Sequence, residues 1–233
     1  MQNKSKLRSA LTWIFMLACL PVAIYFSRFT GERQFYISAF ICIILSLVAV
    51  FISYENQKPD LRQMSLLAVL SAVAIAGRIG FAAVPFIKPL GAIVIITGAV
   101  LGAQAGFLCG AVSCLISNFM FGQGPWTVWQ MVAFGLMGAL SGLIFYGREK
   151  ILNRWALSIF GFVSYILITG PILDLSGMLL FPGFGTASSL LLAGLPINAV
   201  SGASTFVFLL ILAQPIINKL QRIIKKFGIN SGN

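Results

Sequence analysis

The residues best suited to chemistry in this sequence lie in one short stretch, from Ser117 to Met131, between long apolar runs. Its centre reads Gly-Gln-Gly-Pro-Trp-Thr-Val-Trp-Gln-Met from Gly122 onwards. Gly and Pro interrupt a helix, amide and indole groups offer hydrogen bonds, and aromatic faces can stack on a flat organic solute. An aromatic belt at a membrane interface would account for the tryptophans but not for the amides. The stretch therefore predicts small-molecule recognition at a membrane rim.

Two charged residues, Arg78 and Asp174, lie inside apolar runs that are long enough to cross a bilayer. Ionisable groups within a membrane are costly and usually face a cavity or one another. Both fall near the outer ends of their predicted helices, so they could form a structural ion pair, contact a ligand directly, or do both. The sequence leaves these alternatives open. The candidate binding residues, all predicted near the external face, are Arg78, Asn118, Gln123, Trp126, Trp129, Gln130, Asp174 and Asn198.

The composition identifies a membrane protein. Hydrophobic residues make up 59% of the 233 residues and charged residues only 9%, which is more apolar surface than a soluble domain of this length can bury. The net charge of +11 comes from basic residues that flank apolar runs, a placement typical of membrane topology and not of nucleic-acid binding. The four cysteines also lie within apolar runs, and we interpret them as small hydrophobic fillers: Cys19, Cys42, Cys109 and Cys114.

Two absences from the sequence argue against an enzyme. There is no histidine, the commonest side chain for acid–base work near neutral pH and the commonest metal ligand. There is also no Gly-x-x-x-x-Gly-Lys-Ser/Thr phosphate loop, so the chain does not hydrolyse ATP by that route. We therefore predict that the chain is not an enzyme and has no catalytic residues, no metal and no cofactor of its own.

The apolar runs predict about eight membrane helices, since about 20 residues cross a bilayer. The helices lie near residues 10–27, 35–54, 63–84, 89–103, 105–121, 127–146, 156–179 and 187–215. The uncharged region from Leu90 to Phe121 is too long for one span, so we divide it at the flexible segment Gly102–Gly106. With the N-terminus in the cytoplasm, twelve basic residues fall on the inner side and three on the outer side. This bias predicts a multi-pass protein of the cell membrane with both termini cytoplasmic.

The polarity of the segments divides the chain into four parts. Residues 1–54 are predicted to form a two-helix transmembrane hairpin, and residues 55–62 a polar cytoplasmic linker. Residues 63–218 are predicted to form a six-helix core that carries almost every polar membrane residue, and residues 219–233 a basic cytoplasmic tail. The fold class is therefore all-α, with the hairpin preceding the core.

Small residues recur every fourth position in two regions of the core, and such ridges let helix backbones approach closely. One ridge consists of Ala68, Ala72, Ala76 and Gly80, and the other of Gly98, Gly102, Gly106 and Gly110. We expect internal packing to be the purpose of most of these residues. Ala68 and Ala72, in the cytoplasmic half of their helix, could instead meet a partner subunit.

The core, residues 61–215, resembles the substrate-binding S components of energy-coupling factor (ECF) vitamin transporters. The resemblance rests on Arg78 ahead of Pro85 and Pro89, on the glycines from Gly98 to Gly110, and above all on the Gly-Gln-Gly-Pro-Trp string. It implies a six-helix bundle that binds a vitamin-like solute near the extracellular side. It further implies association with a transmembrane scaffold subunit, which an Ala-x-x-x-Ala motif matched by Ala68 and Ala72 contacts, and with two cytoplasmic ATPases. The hairpin at 1–54 departs from the minimal six-helix pattern.

We therefore predict a substrate-binding subunit of an ATP-driven ECF-type importer that captures a vitamin or related micronutrient from outside the cell. The wide aromatic and amide-rich loop suggests a cobalamin-like solute. A stand-alone facilitator or secondary transporter is the alternative function, and a membrane enzyme or regulator is a third. Confinement of polar residues to the outer half favours a binding subunit, because a facilitator needs access from both sides.

Overall fold

The computed structural model describes residues 60–180 and 187–228, and outside these ranges only Ile44 and Val48. The chain divides after Pro59 into two units, residues 1–59 and 60–233. The predicted hairpin at 1–54, most of the predicted linker, and Cys19 and Cys42 lie outside the described residues. Cys109 and Cys114 are buried and free.

The described residues of the second unit are almost entirely helical and contain no strand. The helices are α1 (Leu61–Gly80), α2 (Leu90–Leu101), α3 (Ala103–Phe121), α4 (Pro125–Phe145), α5 (Arg154–Ser164), α6 (Gly170–Leu180) and α7 (Ala187–Phe227), with a π-helical segment (Tyr165–Thr169) joining α5 to α6. Five helical segments in these ranges are long and apolar enough to cross a membrane, and α2 is a shorter apolar helix. The prediction of an all-α membrane protein is confirmed, whereas the number of eight spans and the side of each terminus stay predictions.

The predicted division between α2 and α3 is confirmed at Gly102. This residue has φ +95°, a left-handed conformation that glycine adopts without a Cβ clash. It ends α2, and α3 begins at the next residue. The 32-residue apolar region of the sequence is therefore two helices.

Helix α7 extends beyond the boundary predicted for the basic tail. The predicted span ended at 215, but the helix continues to Phe227 and contains both Pro196 and Pro215. Neighbouring helices can satisfy the carbonyl that a proline leaves unpaired, so proline alone does not end a membrane helix. Lys225 and Lys226 lie in the last turn, where positive charge complements the negative end of the helix dipole.

The π-helical segment lies directly before Pro171. Because the nitrogen of Pro171 carries no proton, it cannot bond to the carbonyl of Leu167 as an α-helix requires. The turn widens here, and the Gly170 N–H donates to the carbonyl of Tyr165, five residues earlier. Widened turns of this kind commonly occur at functional sites, and this one places Tyr165 at the cavity described below.

Backbone contact between α2, α3 and α4 forms a feature that we name the glycine seam, consisting of Gly98, Gly106, Gly110, Gly138 and Gly142. A Cβ added at Gly98 would lie 2.0 Å from the carbonyl oxygen of Gly138, and one added at Gly106 would lie 2.4 Å from the same atom. A Cβ at Gly110 would lie 2.5 Å from the carbonyl oxygen of Phe134. The seam is internal packing, as predicted, and it holds the first half of α3 against the second half of α4, away from the ends of these helices that carry the polar stretch.

The alanine ridge of α1 has the opposite environment. Ala68, Ala72, Ala76 and Gly80, which we name the alanine face, are all exposed in the chain alone. Val69 and Val73 beside them are also exposed, whereas Ala74 on the other side of α1 is fully buried. Helix α1 packs that other side against α2 and α3.

Candidate functional site

A cavity of about 300 Å³ lies where α1 ends and where α2 and α4 begin. It is bounded by α1, α2, α4, the π-helical segment, α6 and α7, and by the loop between α1 and α2. The lining residues are Arg78, Pro85, Phe86, Lys88, Leu90, Gly91, Gln130, Phe134, Tyr165, Leu173, Ser201 and Thr205. Two of the predicted binding residues, Arg78 and Gln130, are therefore brought together at one cavity.

Arg78 is held by three neutral side chains of α3 and α4. Its Nη1 donates to Ser117 Oγ at 2.5 Å and to Asn118 Oδ1 at 2.8 Å. Its Nη2 donates to Gln130 Oε1 at 3.3 Å. These contacts fix the plane of the guanidinium without neutralising its charge, so the cation remains available to a solute in the cavity.

The network continues behind the cavity through residues that do not line it. Asn118 is 1% exposed, and its Nδ2 donates to Gln130 Oε1 and to Thr127 Oγ1, both at 2.9 Å. Thr127 donates in turn to Gln123 Oε1 at 2.9 Å, and Gln123 Nε2 donates to the carbonyl of Leu115 at 2.8 Å. Asn118 and Gln123 thus support Arg78 and Gln130 and do not themselves line the cavity. Thr127 was not among the predicted residues, although it lies within the polar string.

A second cation, Lys88, lies on the same cavity and was also missing from the predicted set. The Arg78 guanidinium carbon and Lys88 Nζ lie 4.9 Å and 4.8 Å from the centre of the Phe121 ring, within the range of cation–π attraction. Burial, and then the charge of Arg78, lower the pKa of Lys88 from its usual value. The Lys88 backbone N–H donates to Ser204 Oγ at 3.1 Å, which attaches the loop to α7.

Arg78 and Asp174 do not form an ion pair, so that alternative is wrong. Asp174 Oδ2 accepts a hydrogen bond from Asn198 Nδ2 at 2.7 Å, whereas the bonds of Arg78 go to α3 and α4. Asp174 also lies against Gly194, where an added Cβ would be 2.1 Å from its carboxylate oxygen. Asp174 and Asn198 therefore connect α6 to α7 and do not line the cavity. The similar depth predicted for Arg78 and Asp174 did not make them hydrogen-bond partners.

The two tryptophans of the polar string have different environments, and neither lines the cavity. Trp126 is 39% exposed at the start of α4, beside Gly124, whereas Trp129 is 5% exposed and belongs to the core. The aromatic groups that do line the cavity include Phe134 and Tyr165, whose rings meet edge to face with their centres 6.1 Å apart. Sequence reasoning missed both, because they lie in purely apolar-looking helical runs.

The family model for the S component of ECF-type riboflavin transporters matches residues 58–222. The chain belongs to this family. The match spans α1 to most of α7, and so includes every residue of the cavity and of its hydrogen-bond network. It confirms the resemblance that the polar string indicated, and S components are transport subunits. No solved structure matches the chain significantly.

Proposed function

We propose that this S component captures riboflavin, or a flavin closely related to it, from outside the cell for an ATP-driven ECF importer. The observation that carries the proposal is the cavity, which combines cationic and amide donors with aromatic and aliphatic walls. The family match supplies the flavin as the substrate class. The donors lie together on one side of this small space.

The chemistry of the lining suits a flavin. A flavin is a flat tricyclic ring with carbonyl oxygens and ring nitrogens along one edge, and with a hydroxylated side chain. Arg78, Lys88 and Gln130 can donate to that edge, while Phe134 and Tyr165 offer aromatic contact to the ring. Ser201 and Thr205 offer hydroxyls to the side chain of the solute. Such a mixture of apolar walls and a few polar groups is typical of small-molecule sites.

The cavity volume favours a flavin over the cobalamin-like solute that the loop suggested. Small-molecule pockets occupy about 300–1,000 Å³, and this cavity is at the lower end of that range. A corrinoid with its attached nucleotide is several times larger than a flavin. The amides of the loop are engaged in the network, Trp129 is packed in the core, and Trp126 is exposed outside the cavity lining, so none of these groups enlarges the cavity.

The orientation of the site supports uptake from outside. The cavity lies at the end of the core opposite to Arg62, Arg148 and the basic end of α7, which the positive-inside rule assigns to the cytoplasm. In the proposed topology both termini are cytoplasmic, and the hairpin at 1–54 is an accessory to the core at 63–218. A stand-alone facilitator would need a second opening on the cytoplasmic side, where the glycine seam brings α2, α3 and α4 into backbone contact.

The alanine face is the proposed contact with the rest of the transporter. The partners are a transmembrane scaffold subunit and two cytoplasmic ATPase subunits, with Ala68 and Ala72 at the scaffold contact. Small exposed residues on α1 would allow a scaffold helix to approach its backbone closely.

The site is tested by titrating riboflavin into the purified chain by calorimetry. Arg78→Gln removes the charge that faces the cavity, and we expect it to weaken binding about tenfold or more, because a hydrogen bond to a charged group contributes about 1.5–3 kcal/mol. Arg62→Gln is the matched control, since Arg62 lies at the other end of α1 and donates to the carbonyl of Phe227. A folded wild-type protein that does not bind riboflavin would overturn the proposed substrate.

Coupling to ATP is tested separately in vesicles. We expect riboflavin uptake only when the scaffold, both ATPases and ATP are present. Robust uptake by this chain alone, without ATP, would replace the proposal with the facilitator.

A further inference from the structure

Arg78 determines which atoms donate and which accept throughout the hydrogen-bond network behind the cavity. A guanidinium has donors only, so the amide atoms that face it must be oxygens. Asn118 therefore presents Oδ1 and Gln130 presents Oε1 to Arg78. The remaining Nδ2 of Asn118 then faces Gln130 Oε1 and Thr127 Oγ1, which must both accept from it.

Thr127 closes this chain of donors and acceptors. Its hydroxyl accepts from Asn118 Nδ2, so its single proton goes to Gln123 Oε1. The Gln123 Nε2 is then left to donate to a main-chain carbonyl, as observed. Thr127 is 3% exposed and lies outside the cavity lining. Its hydroxyl also accepts from the Gly124 backbone N–H at 3.3 Å, and of its three partners Asn118 is the one that contacts Arg78 and Gln130.

The consequence for the cavity appears at Gln130. Its Oε1 is occupied by both Arg78 and Asn118, while its Nε2 has no partner among the described residues. Because Gln130 lines the cavity, Nε2 is the atom that its amide can offer to a solute. Together with Lys88 and the guanidinium of Arg78, the polar end of the cavity presents donors.

We infer that Thr127 is a positioning residue that determines specificity. Its hydroxyl holds the Asn118 and Gln130 amides so that the cavity presents hydrogen-bond donors. The cavity then selects a solute whose edge consists of hydrogen-bond acceptors. This inference rests on the proposed function for the identity of the solute. The carbonyl edge of a flavin provides such acceptors. Loss of the hydroxyl would leave a buried Asn118 N–H without its acceptor and would release Gln130 to turn.

The binding test compares riboflavin with its 2-thio and 4-thio analogues, in which sulphur, a weaker acceptor, replaces a ring carbonyl oxygen. Calorimetry on the purified chain gives the affinity ratio of riboflavin to each analogue. Thr127→Val keeps the shape of the side chain and removes the hydroxyl, and Thr127→Ser restores the hydroxyl. Thr97→Val is the matched control, because Thr97 is equally buried but donates to the carbonyl of Ile93, away from the network.

We expect Thr127→Val to weaken riboflavin binding about tenfold and to bring at least one affinity ratio close to one, since one hydrogen bond corresponds to about that factor. Thr127→Ser should restore both quantities, and Thr97→Val should leave both as in the wild type. Wild-type ratios in Thr127→Val would overturn the inference, because an equal loss of affinity for all three solutes is the result of a merely structural role. If the valine variant does not fold, Thr127→Ala provides the same comparison.

A second measurement needs no solute. Nuclear magnetic resonance of the chain, labelled with ¹⁵N in its asparagine and glutamine side chains, reports the amides of Asn118 and Gln130. We expect slow hydrogen exchange at Asn118 in the wild type, faster exchange in Thr127→Val, and a shifted Gln130 signal in that variant alone. An unchanged Gln130 signal in Thr127→Val would overturn the inference. Failure of the wild type to bind riboflavin would overturn the proposed substrate, and the amide signals would still decide the role of Thr127.

Discussion

The glycine seam and the alanine face have nearly the same spacing in the sequence and opposite environments in the structure. In the seam, a Cβ added at Gly98 would lie 2.0 Å from a backbone oxygen of α4. On the alanine face, a Cβ added at Gly80 would find nothing within 4 Å. Small residues every fourth position therefore predict that some helix can approach closely, but they do not indicate whether that helix belongs to the same chain.

Because the glycine seam and the alanine face differ in burial, we assign them different roles. The seam is completed by this chain and holds α3 and α4 so that Arg78, Asn118 and Gln130 can meet. The alanine face is left uncovered by the described residues and is bordered by exposed Val69 and Val73. Large aliphatic residues serve equally well against lipid, which is why we propose a partner helix for this row of small residues.

The largest expected effect comes from adding one methyl group to the seam. In Gly106→Ala the new Cβ would lie 2.4 Å from the oxygen of Gly138 and 2.6 Å from the Cα of Gly98. Both are backbone atoms, so the helices must separate to accommodate the methyl group. We expect the free energy of unfolding to fall by more than ordinary overpacking costs, which is about 1–3 kcal/mol. Size-exclusion profiles and melting temperature in detergent measure it. A wild-type melting temperature would mean that the seam does not hold α3 against α4.

The tryptophans of the polar string extend the comparison to large side chains. Trp129→Ala removes a 5% exposed side chain from the core, and we expect it to cost about 3–5 kcal/mol of folding free energy. Trp126→Ala, at 39% exposure, should cost much less and serves as the control. Thermal unfolding of both variants measures the difference. If the two variants were equally stable and only Trp129→Ala lost riboflavin binding, Trp129 would be a binding residue and not a core residue.

The third effect is on assembly. Replacing both Ala68 and Ala72 with Leu adds volume where we propose that a scaffold helix packs, and overpacking costs about 1–3 kcal/mol per site. Riboflavin affinity of the isolated chain should be unchanged, because the cavity is at the other end of the helix, while co-purification with the scaffold and transport should be lost.

The control for that double variant is Val207→Leu, an exposed apolar position on α7. Loss of ligand affinity together with assembly would mean that the alanine face is internal packing after all. Retention of both would place the docking surface elsewhere, with the segment 1–54 as the first region to test.

The smallest effect is expected at Gly80, the last residue of α1 and of the alanine face. Gly80→Ala makes the same chemical change as Gly106→Ala, but its Cβ meets no atom within 4 Å. We expect a melting temperature equal to the wild type or slightly higher, since alanine in a helix is favoured over glycine by at most about 1 kcal/mol. A marked destabilisation would show that Gly80 is covered in the folded chain, contrary to the comparison.

Several features of the site could be predicted because they depend on local sequence. Gly102 was identified as the break between α2 and α3 because a long uncharged run cannot form one span, and the polar string was identified because its amides have no purpose in lipid. Thr127 and Lys88 were missed because a threonine within a string of aromatics and a single loop lysine look ordinary. Their importance comes from neighbours that are distant in sequence.

The contacts of Arg78 show most clearly where sequence reasoning stopped. The sequence left an ion pair with Asp174 open as one alternative, because both residues were predicted at a similar depth, which hydrophobic length and charge bias can indicate. The actual partners of Arg78 lie 39, 40 and 52 residues away, on two other helices. A choice among several polar groups at the same depth depends on which helices are adjacent, and no periodicity within one helix encodes adjacency.

By itself, the sequence determined the class of the protein, the helices of its core, the end of the core that carries polar groups, and the family to which it belongs. These properties follow from hydrophobic length, helix-breaking residues and a short specific string, all of which act over a few turns of chain. Only the tertiary structure decided which small-residue ridge is covered, which tryptophan is buried, and which atoms face the cavity. Those outcomes depend on close packing between distant segments, where an added Cβ would lie as little as 2.0 Å from a backbone oxygen, so that a single methyl group or one hydrogen-bond acceptor selects the arrangement.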